Sequence, residues 1–231
     1  MLTRYSALIF AAGLAFMLFV LFSGLPLGAP GMVVGQAVLD RAPAEVGAAN
    51  IVTAVVLGYR GIDTMGELAI LFAAATAIGL VLGRSRGSRH CPPAIQPGGF
   101  ILRAGNDMLF PLLLVVGLYI ILHGHLTPGG GFQGGVVLAA AFVLPVLARP
   151  TDMPSHAAMA WIEGLAGAAF ILTGMAALAY DRAFLAPLLG TGEMGALVSA
   201  GTLPILYLAV GLKVGAELAS LLLSLTEEGG D

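Results

Sequence analysis

Two pairs of charged residues stand out in a chain that otherwise carries few charges. Asp63 and Glu67 form one pair, and Lys213 and Glu217 form the other. Residues four apart share one face of a helix, so each pair can interact. Two neighbouring carboxylates repel each other when both are ionised, which favours binding a proton or a hard cation such as Na⁺ between them. Lys213 and Glu217 can form a structural ion pair or serve as a proton relay.

The acidic residues also have structural interpretations. Thr64 precedes Glu67 by three positions, which is the spacing of a capping box at a helix start, and Arg60 can neutralise one carboxylate. Glu163 is a further candidate, whose alternative role is to reach the lipid headgroups. A charged side chain at mid-membrane costs about 2.5–3.5 kcal/mol on insertion scales, so each such residue is a functional candidate. Glu67 ranks first, as a carboxylate that can hold Na⁺ transiently.

A polar, glycine-dense stretch is the longest motif in the chain. It reads HGHLTPGGGFQGG from His123 to Gly135. Three consecutive glycines let the backbone bend and approach a neighbour, and free amides at the next helix start favour an anion. His123 and His125 can relay protons, but without a third ligand they make a weak metal site, so no metal and no cofactor is expected. The alternative is a tightly packed turn. The residues expected to shape this hairpin are Thr127, Pro128, Gly129, Gly130, Gly131, Phe132 and Gln133.

The composition places these residues in a membrane. Of the 231 residues, 58% are hydrophobic and 10% are charged, whereas an ordinary soluble domain has about 25% charged residues. A soluble domain is therefore excluded, and the absence of a basic stripe excludes a nucleic-acid binder. The single cysteine excludes a disulfide scaffold. The sequence has no phosphate-binding loop or activated nucleophile, so we do not expect an enzyme.

Charge-free stretches predict where the chain crosses the bilayer, since a spanning helix needs about 20 apolar residues. We expect an all-α, polytopic membrane helix bundle with about six transmembrane helices and one short interfacial or re-entrant helix. The spans are predicted at 5–23, 63–83, 106–122, 132–148, 157–180 and 197–223. Residues 24–43 are predicted to form a loop, and 44–58 the short helix, with a seventh span as its alternative. A signal peptide is the rival interpretation of the first span.

A basic, proline-broken linker divides the chain. It covers 84–105 and separates an N-terminal membrane segment, 1–83, from a second membrane domain, 106–231. Arginine and lysine favour the cytoplasmic side. With six spans, the side of the N-terminus has Arg4, Arg84, Arg86, Arg89, Arg103 and Arg149, against Arg41, Arg60 and Arg182 on the other side. This bias predicts a multi-pass protein of the cell inner (cytoplasmic) membrane with both termini in the cytoplasm, although seven spans would move the N-terminus outside.

Two stretches resemble known families. Residues 106–149, with LFPLLLVVGLYIILHGHLTPGGGFQGGVVLAAAFVL at their centre, resemble the B component of Mrp-type multisubunit Na⁺/H⁺ antiporters. The similarity runs from about 100 to 223 and includes GLKVGAEL around Lys213. The earlier stretch from GAANIVT through YRGIDTMGELAILF is similar to the C-terminal end of the large A component of the same antiporters. The same piece is the separate E-like component of membrane-bound hydrogenase complexes, so the chain resembles an E-like segment fused to a B-like domain.

The resemblance implies a subunit that works only with partners. These would be the other subunits of an Mrp-type antiporter or of a complex I-like membrane arm, together with the lipid bilayer, Na⁺ and H⁺. The expected role is Na⁺/H⁺ exchange through intramembrane carboxylates and the glycine-rich hairpin, with Asp63 tuning Glu67. The alternative is a structural coupling subunit, without its own ion path, in a redox-driven pump of the complex I or hydrogenase type.

Overall fold

The computed structural model describes residues 2–25, 32–85, 98–149 and 155–228, and all regular structure in these ranges is helical. This confirms the predicted fold class. The helices are α1 (Leu2–Ser23), α2 (Val33–Val46), α3 (Ile51–Thr53, continued by a π-helical segment, Ala54–Tyr59), α4 (Gly61–Ser85), α5 (Phe100–Leu122), α6 (Gly131–Ala148), α7 (His156–Ala179) and α8 (Leu203–Glu228). Residues 86–97 of the predicted linker lie outside the described residues. The prediction was wrong at both ends of the linker, because α4 continues to Ser85 and α5 begins at Phe100 rather than at 106.

Six of the described helices are long and apolar enough to cross a membrane, as predicted. They are Tyr5–Ser23, Gly61–Val81, Phe100–Leu122, Gly131–Ala148, Ala157–Ala179 and Leu203–Leu225. In addition, α2 and the helix over Ile51–Tyr59 form a pair bent by 88°, which is either a broken span or a re-entrant element.

Predictions before α4 and at the start of α8 were also wrong. Residues 24–43 were expected to form a loop, but α2 begins at Val33 and continues to Val46. The single short helix over 44–58 is therefore two helices, which are separated at Gly47, where φ is +71°. Glycine adopts this left-handed conformation without the steric penalty of a side chain, so it breaks the helix there. The last helix begins at Leu203 rather than 197, after two residues of positive φ, Ala200 and Gly201.

The chain falls into two compact units, Met1–Ala37 and Val38–Asp231. The first contains α1, and the second contains all residues of the candidate site. Within the second unit α8 is central, because it packs against α4, α5, α6 and α7. Its inward side chains, Leu206, Val210 and Leu223 among them, are almost fully buried.

Glycines bring α5, α6 and α8 into contact through their backbones. A methyl carbon built on Gly134 of α6 would lie 2.7 Å from the carbonyl oxygen of Gly117 on α5. A methyl carbon on Gly135 would lie 2.9 Å from the carbonyl oxygen of Gly211 on α8. Small residues allow such close approach between membrane helices. The helix that follows the hairpin is therefore fixed against both neighbours.

Candidate functional site

A buried cluster of charged side chains lies between α4, α7 and α8. The ammonium nitrogen of Lys213 is 2.7 Å from Oε2 of Glu217, one turn further along α8. It is also 3.6 Å from Oε1 of Glu163 on α7. The ring of Phe72 on α4 lies over the ammonium, with 5.3 Å between the nitrogen and the ring centroid, within range of a cation–π interaction. Three helices therefore contribute to one charged site, which we call the lysine cluster.

The lysine cluster holds two carboxylates against one ammonium in a buried position. Glu217 is 1% exposed and Lys213 is 7% exposed. Among the described residues, Oε1 of Glu217 has no hydrogen-bond partner. A buried carboxylate oxygen without a partner is costly unless something binds it. The unpartnered oxygen of Glu217 is therefore an available acceptor beside the ammonium of Lys213.

Two cavities adjoin the lysine cluster, and Phe72 and Glu163 line both of them. The first, of about 280 Å³, lies between α4 and α7, reaches Lys213 and is otherwise lined by apolar side chains and glycines. The second, of about 190 Å³, reaches Glu217. Its other polar lining residues are Thr76, Ser220 and Ser224. Each cavity therefore reaches a different charged residue of α8 in the lysine cluster.

The carboxylates near the start of α4 lie in a different environment. Asp63 forms an exposed ion pair with Arg60, which is the structural role that the sequence left open. Glu67 is exposed and is not among the residues that line either cavity. The capping-box prediction is wrong, because α4 already begins at Gly61. The hydroxyl of Thr64 instead donates a hydrogen bond to the carbonyl of Val56, at 2.9 Å.

The glycine-rich hairpin is held by residues from the first half of the chain. The side-chain amide of Asn50 donates to the carbonyls of Gly124, at 2.8 Å, and Thr127, at 2.9 Å. The hydroxyl of Thr53 donates to the same Gly124 carbonyl, at 2.6 Å, and accepts from the hydroxyl of Tyr207 on α8, at 2.5 Å. These bonds favour the tightly packed turn. Sequence reasoning missed Asn50, Thr53 and Tyr207. Asn50 lay within the predicted short helix, 44–58, whereas in the structure it caps the helix that begins at Ile51.

The two histidines of the hairpin point to different partners. The ring of His123 stacks on Tyr119, with 4.1 Å between the centroids, and its Nδ1 is 3.1 Å from the carbonyl oxygen of that residue. His125 is fully buried. Its Nε2 is 3.4 Å from the carbonyl oxygen of Ala196, and its Nδ1 has no partner among the described residues. No group of three His, Cys, Asp or Glu that could hold a metal occurs in the described ranges.

Burial lowers the pKa of His125 below its usual value of 6.5, and the nearby His123 acts in the same direction. The folded protein therefore takes up a proton on this ring only at a lower pH than the unfolded chain, which does so below about pH 6.5. Stability of the hairpin is expected to fall as the pH drops through this value and to level off below the lowered pKa. Hydrogen exchange of the hairpin amides in the purified complex should accelerate over this range. His125→Gln should remove the dependence; a dependence that persists would belong to another group.

Six helices capable of spanning a membrane define a polytopic membrane protein, and its interior holds a buried charged cluster. Residues 101–220 match the family described as a domain related to the MnhB subunit of Na⁺/H⁺ antiporters. Residues 4–95 match a second family, MbhE, which is the E component of MBH. The chain therefore belongs to the MnhB-related family of antiporter subunits and carries an MbhE domain at its N-terminal end, which confirms the resemblance of both halves.

Two related proteins match this chain over different shares of their lengths. The chain is 33% identical to the uncharacterized protein MJ1307 of Methanocaldococcus jannaschii, over 76% of this chain and 77% of that protein. It is 27% identical to a probable K(+)/H(+) antiporter component of the A/B type from Rhizobium meliloti, over 49% of this chain and 14% of that protein. In the second case the chain spans only a small part of its relative.

Two solved structures have similar folds. One is a chain of the membrane-bound sulfane sulfur reductase, an archaeal respiratory membrane complex, with a TM-score of 0.82 and 38% identity over 97% of this chain and 98% of that chain. The other is a chain of the Mrp complex from a Dietzia species, with a TM-score of 0.74 and 28% identity. That match covers 96% of this chain and 26% of the other.

Proposed function

We propose that the chain is a non-catalytic membrane subunit of a multisubunit cation/proton antiporter module and takes part in Na⁺/H⁺ exchange. The observation that carries the proposal is the lysine cluster, a buried charged site reached from two cavities in a member of the MnhB-related family. The protein would be built from an E-like segment, 1–83, a linker, 84–105, and a B-like domain, 106–231. Its partners would be the other subunits of the module and the lipid bilayer.

The geometry of the lysine cluster suits transfer of charge between its two carboxylates. Lys213 is closer to Glu217, at 2.7 Å, than to Glu163, at 3.6 Å. A small movement of the flexible lysine side chain towards Glu163 would leave Glu217 without its cation. Glu217 would then take up a proton or a cation from the second cavity, and the return of Lys213 would release it. Such a cycle links one bound ion to one movement of charge.

The other predicted residues have secondary places in this proposal. The carboxylate of Glu67 is exposed on this chain, so a neighbouring subunit would have to complete any cation site around it. Asp63 would tune that site only if its ion pair with Arg60 opened. His123, His125 and the glycine hairpin would shape the packing beside the path rather than carry ions.

The proposed location is the cytoplasmic membrane, with both termini in the cytoplasm.

A second candidate function is structural coupling in a redox-driven complex. It is favoured by the likeness to a chain of the sulfane sulfur reductase complex, which is higher in identity and more complete than the likeness to the Mrp complex. In this alternative the lysine cluster is a structural ion pair that joins α7 to α8, and the electron transfer belongs to other subunits.

The test is Na⁺-dependent antiport in inverted vesicles that contain the whole complex. Glu217→Gln keeps the shape of the side chain but removes its charge, and it should reduce antiport at least about tenfold, because a positioned proton-transfer group contributes about 10²–10⁴-fold. Native gels should show normal assembly. Glu193→Gln, which neutralises an exposed loop carboxylate, is the control, and Glu67→Gln is measured in parallel. Normal antiport by the Glu217→Gln complex would refute the proposed path.

A further inference from the structure

We propose that the second cavity, beside Glu217, is a binding site for a monovalent alkali cation, which competes with the ammonium of Lys213 for the Glu217 carboxylate. The inference rests on the proposed function and goes beyond it, because it states where the cation binds, through which atoms, and how its binding is linked to the lysine. We call this cavity the cation pocket.

The lining of the cation pocket offers oxygen ligands and no others. Its polar side chains are the two carboxylates of Glu163 and Glu217 and three hydroxyls. The hydroxyls belong to Thr76, Ser220 and Ser224. The remaining side chains are apolar and contribute neither nitrogen nor sulfur atoms. Hard cations prefer oxygen ligands, so this donor set selects an alkali or alkaline-earth ion.

Two further features make the oxygens available. Oε1 of Glu217 accepts no hydrogen bond within the described residues although the side chain is 1% exposed. The hydroxyl of Ser224 donates its hydrogen to the carbonyl of Ser220, at 2.9 Å, so its lone pairs remain available for a cation. Glu217, Ser220 and Ser224 are spaced by three and four residues and therefore lie along one face of α8. Three of the five oxygen-bearing side chains thus lie in a row on α8, and Thr76 of α4 and Glu163 of α7 complete the polar lining.

The charge of the lysine cluster favours a monovalent ion. Two carboxylates face one ammonium, so a single additional positive charge balances the site, whereas a divalent ion would exceed it. The first cavity, which reaches Lys213, has no hydroxyl in its lining. A cation is therefore expected only at the Glu217 side. When it binds there, it takes the place of Lys213 at Glu217, and the ammonium moves to Glu163, 3.6 Å away.

The experiment removes ligand hydroxyls and leaves the charges unchanged. Thr76→Val and Ser220→Ala should each raise the Na⁺ concentration for half-maximal antiport about fivefold or more, since a lost polar contact changes affinity by about that factor. The maximal rate at saturating Na⁺ should be retained. Thr173→Val is the matched control, because this hydroxyl bonds to its own helix at Ala169, 2.7 Å away, and lines neither cavity. Series with Na⁺, Li⁺ and K⁺ identify which alkali ion the pocket prefers.

Direct binding of ²²Na⁺ to the purified complex separates this inference from the proposed function. Weaker binding in the Thr76→Val and Ser220→Ala complexes, with Thr173→Val unchanged, would support the cation pocket. Unchanged half-maximal concentrations and unchanged binding in both variants would overturn it, even if Glu217→Gln abolished antiport and so upheld the lysine cluster as a proton path. An equal loss in Thr173→Val would also overturn it, because the effect would then be general. Failure of the proposed function has a different signature, which is normal antiport by the Glu217→Gln complex.

Discussion

A valine at Gly134 is expected to prevent recovery of the assembled complex. A first added carbon would lie 2.7 Å from the carbonyl oxygen of Gly117 and would also collide with Ile121. The backbone of α5 cannot move aside unless α5 and α6 separate, and that would break the packing that follows the hairpin. Adding even small groups to a packed core costs about 1–3 kcal/mol, and valine adds three carbons. Since folded proteins are stable by only about 5–15 kcal/mol, most of the protein should be lost.

The measurement is the amount of complex on native gels of detergent extracts, together with its thermal unfolding. Gly134→Ala should give an intermediate loss, because it adds only the first carbon. Gly105→Val is the control on α5, where an added carbon meets nothing within 4 Å. It should be recovered at the level of the parent complex. Equal recovery of Gly134→Val and Gly105→Val would mean that the close approach of α5 and α6 is not required.

The hairpin illustrates what the sequence could predict. Three consecutive glycines predicted a bend and a close approach, and both are present at the start of α6. The helix contacts of Gly134 and Gly135 were not predictable, because their partners, Gly117 and Gly211, are ordinary glycines in apolar helices until the helices pack. In the same way, Asn50 is one polar residue within the stretch predicted as a short helix, 44–58. Its role in holding the hairpin depends on two carbonyls more than 70 positions away.

The lysine cluster was predicted only in part. The spacing of Lys213 and Glu217 fixes their pairing, since four residues make about one helical turn. The contribution of Glu163 depends on how α7 packs against α8, and a helix that is apolar on all sides does not reveal which face turns inward. The same uncertainty applied to α4. Its spacing made Glu67 the first candidate, whereas the face directed to the cluster carries Phe72.

The sequence also failed to predict that a stretch rich in glycine and proline would be helical. The stretch from 24 to 43 has the composition of a loop, but Pro43 lies within α2 and the helix continues to Val46. Proline removes one donor and is disfavoured within a helix, yet packing can override such a local preference. The break occurs at Gly47, where the left-handed backbone conformation requires glycine.

Removal of Lys213 alone is expected to be strongly destabilising. Lys213→Met keeps the apolar stem but leaves Glu217 and Glu163 without their shared cation, and Glu217 is 1% exposed. Breaking a buried ion pair by deleting one partner costs about 3–5 kcal/mol, because a buried charge then has no compensation. Assembly of the complex should therefore fall sharply on native gels.

Neutralising the whole lysine cluster should restore assembly without restoring transport. The triple variant Lys213→Met, Glu163→Gln, Glu217→Leu leaves no buried charge at the site, and replacing buried ion pairs by packed apolar groups is often neutral or stabilising by about 1–4 kcal/mol. If the cluster carries ions, the reassembled complex should have antiport reduced at least about tenfold. Antiport that returned together with assembly would instead mean that the cluster only joins α7 to α8. The chain would then be the structural coupling subunit, because a scaffold needs the packing of these three side chains and not their charges.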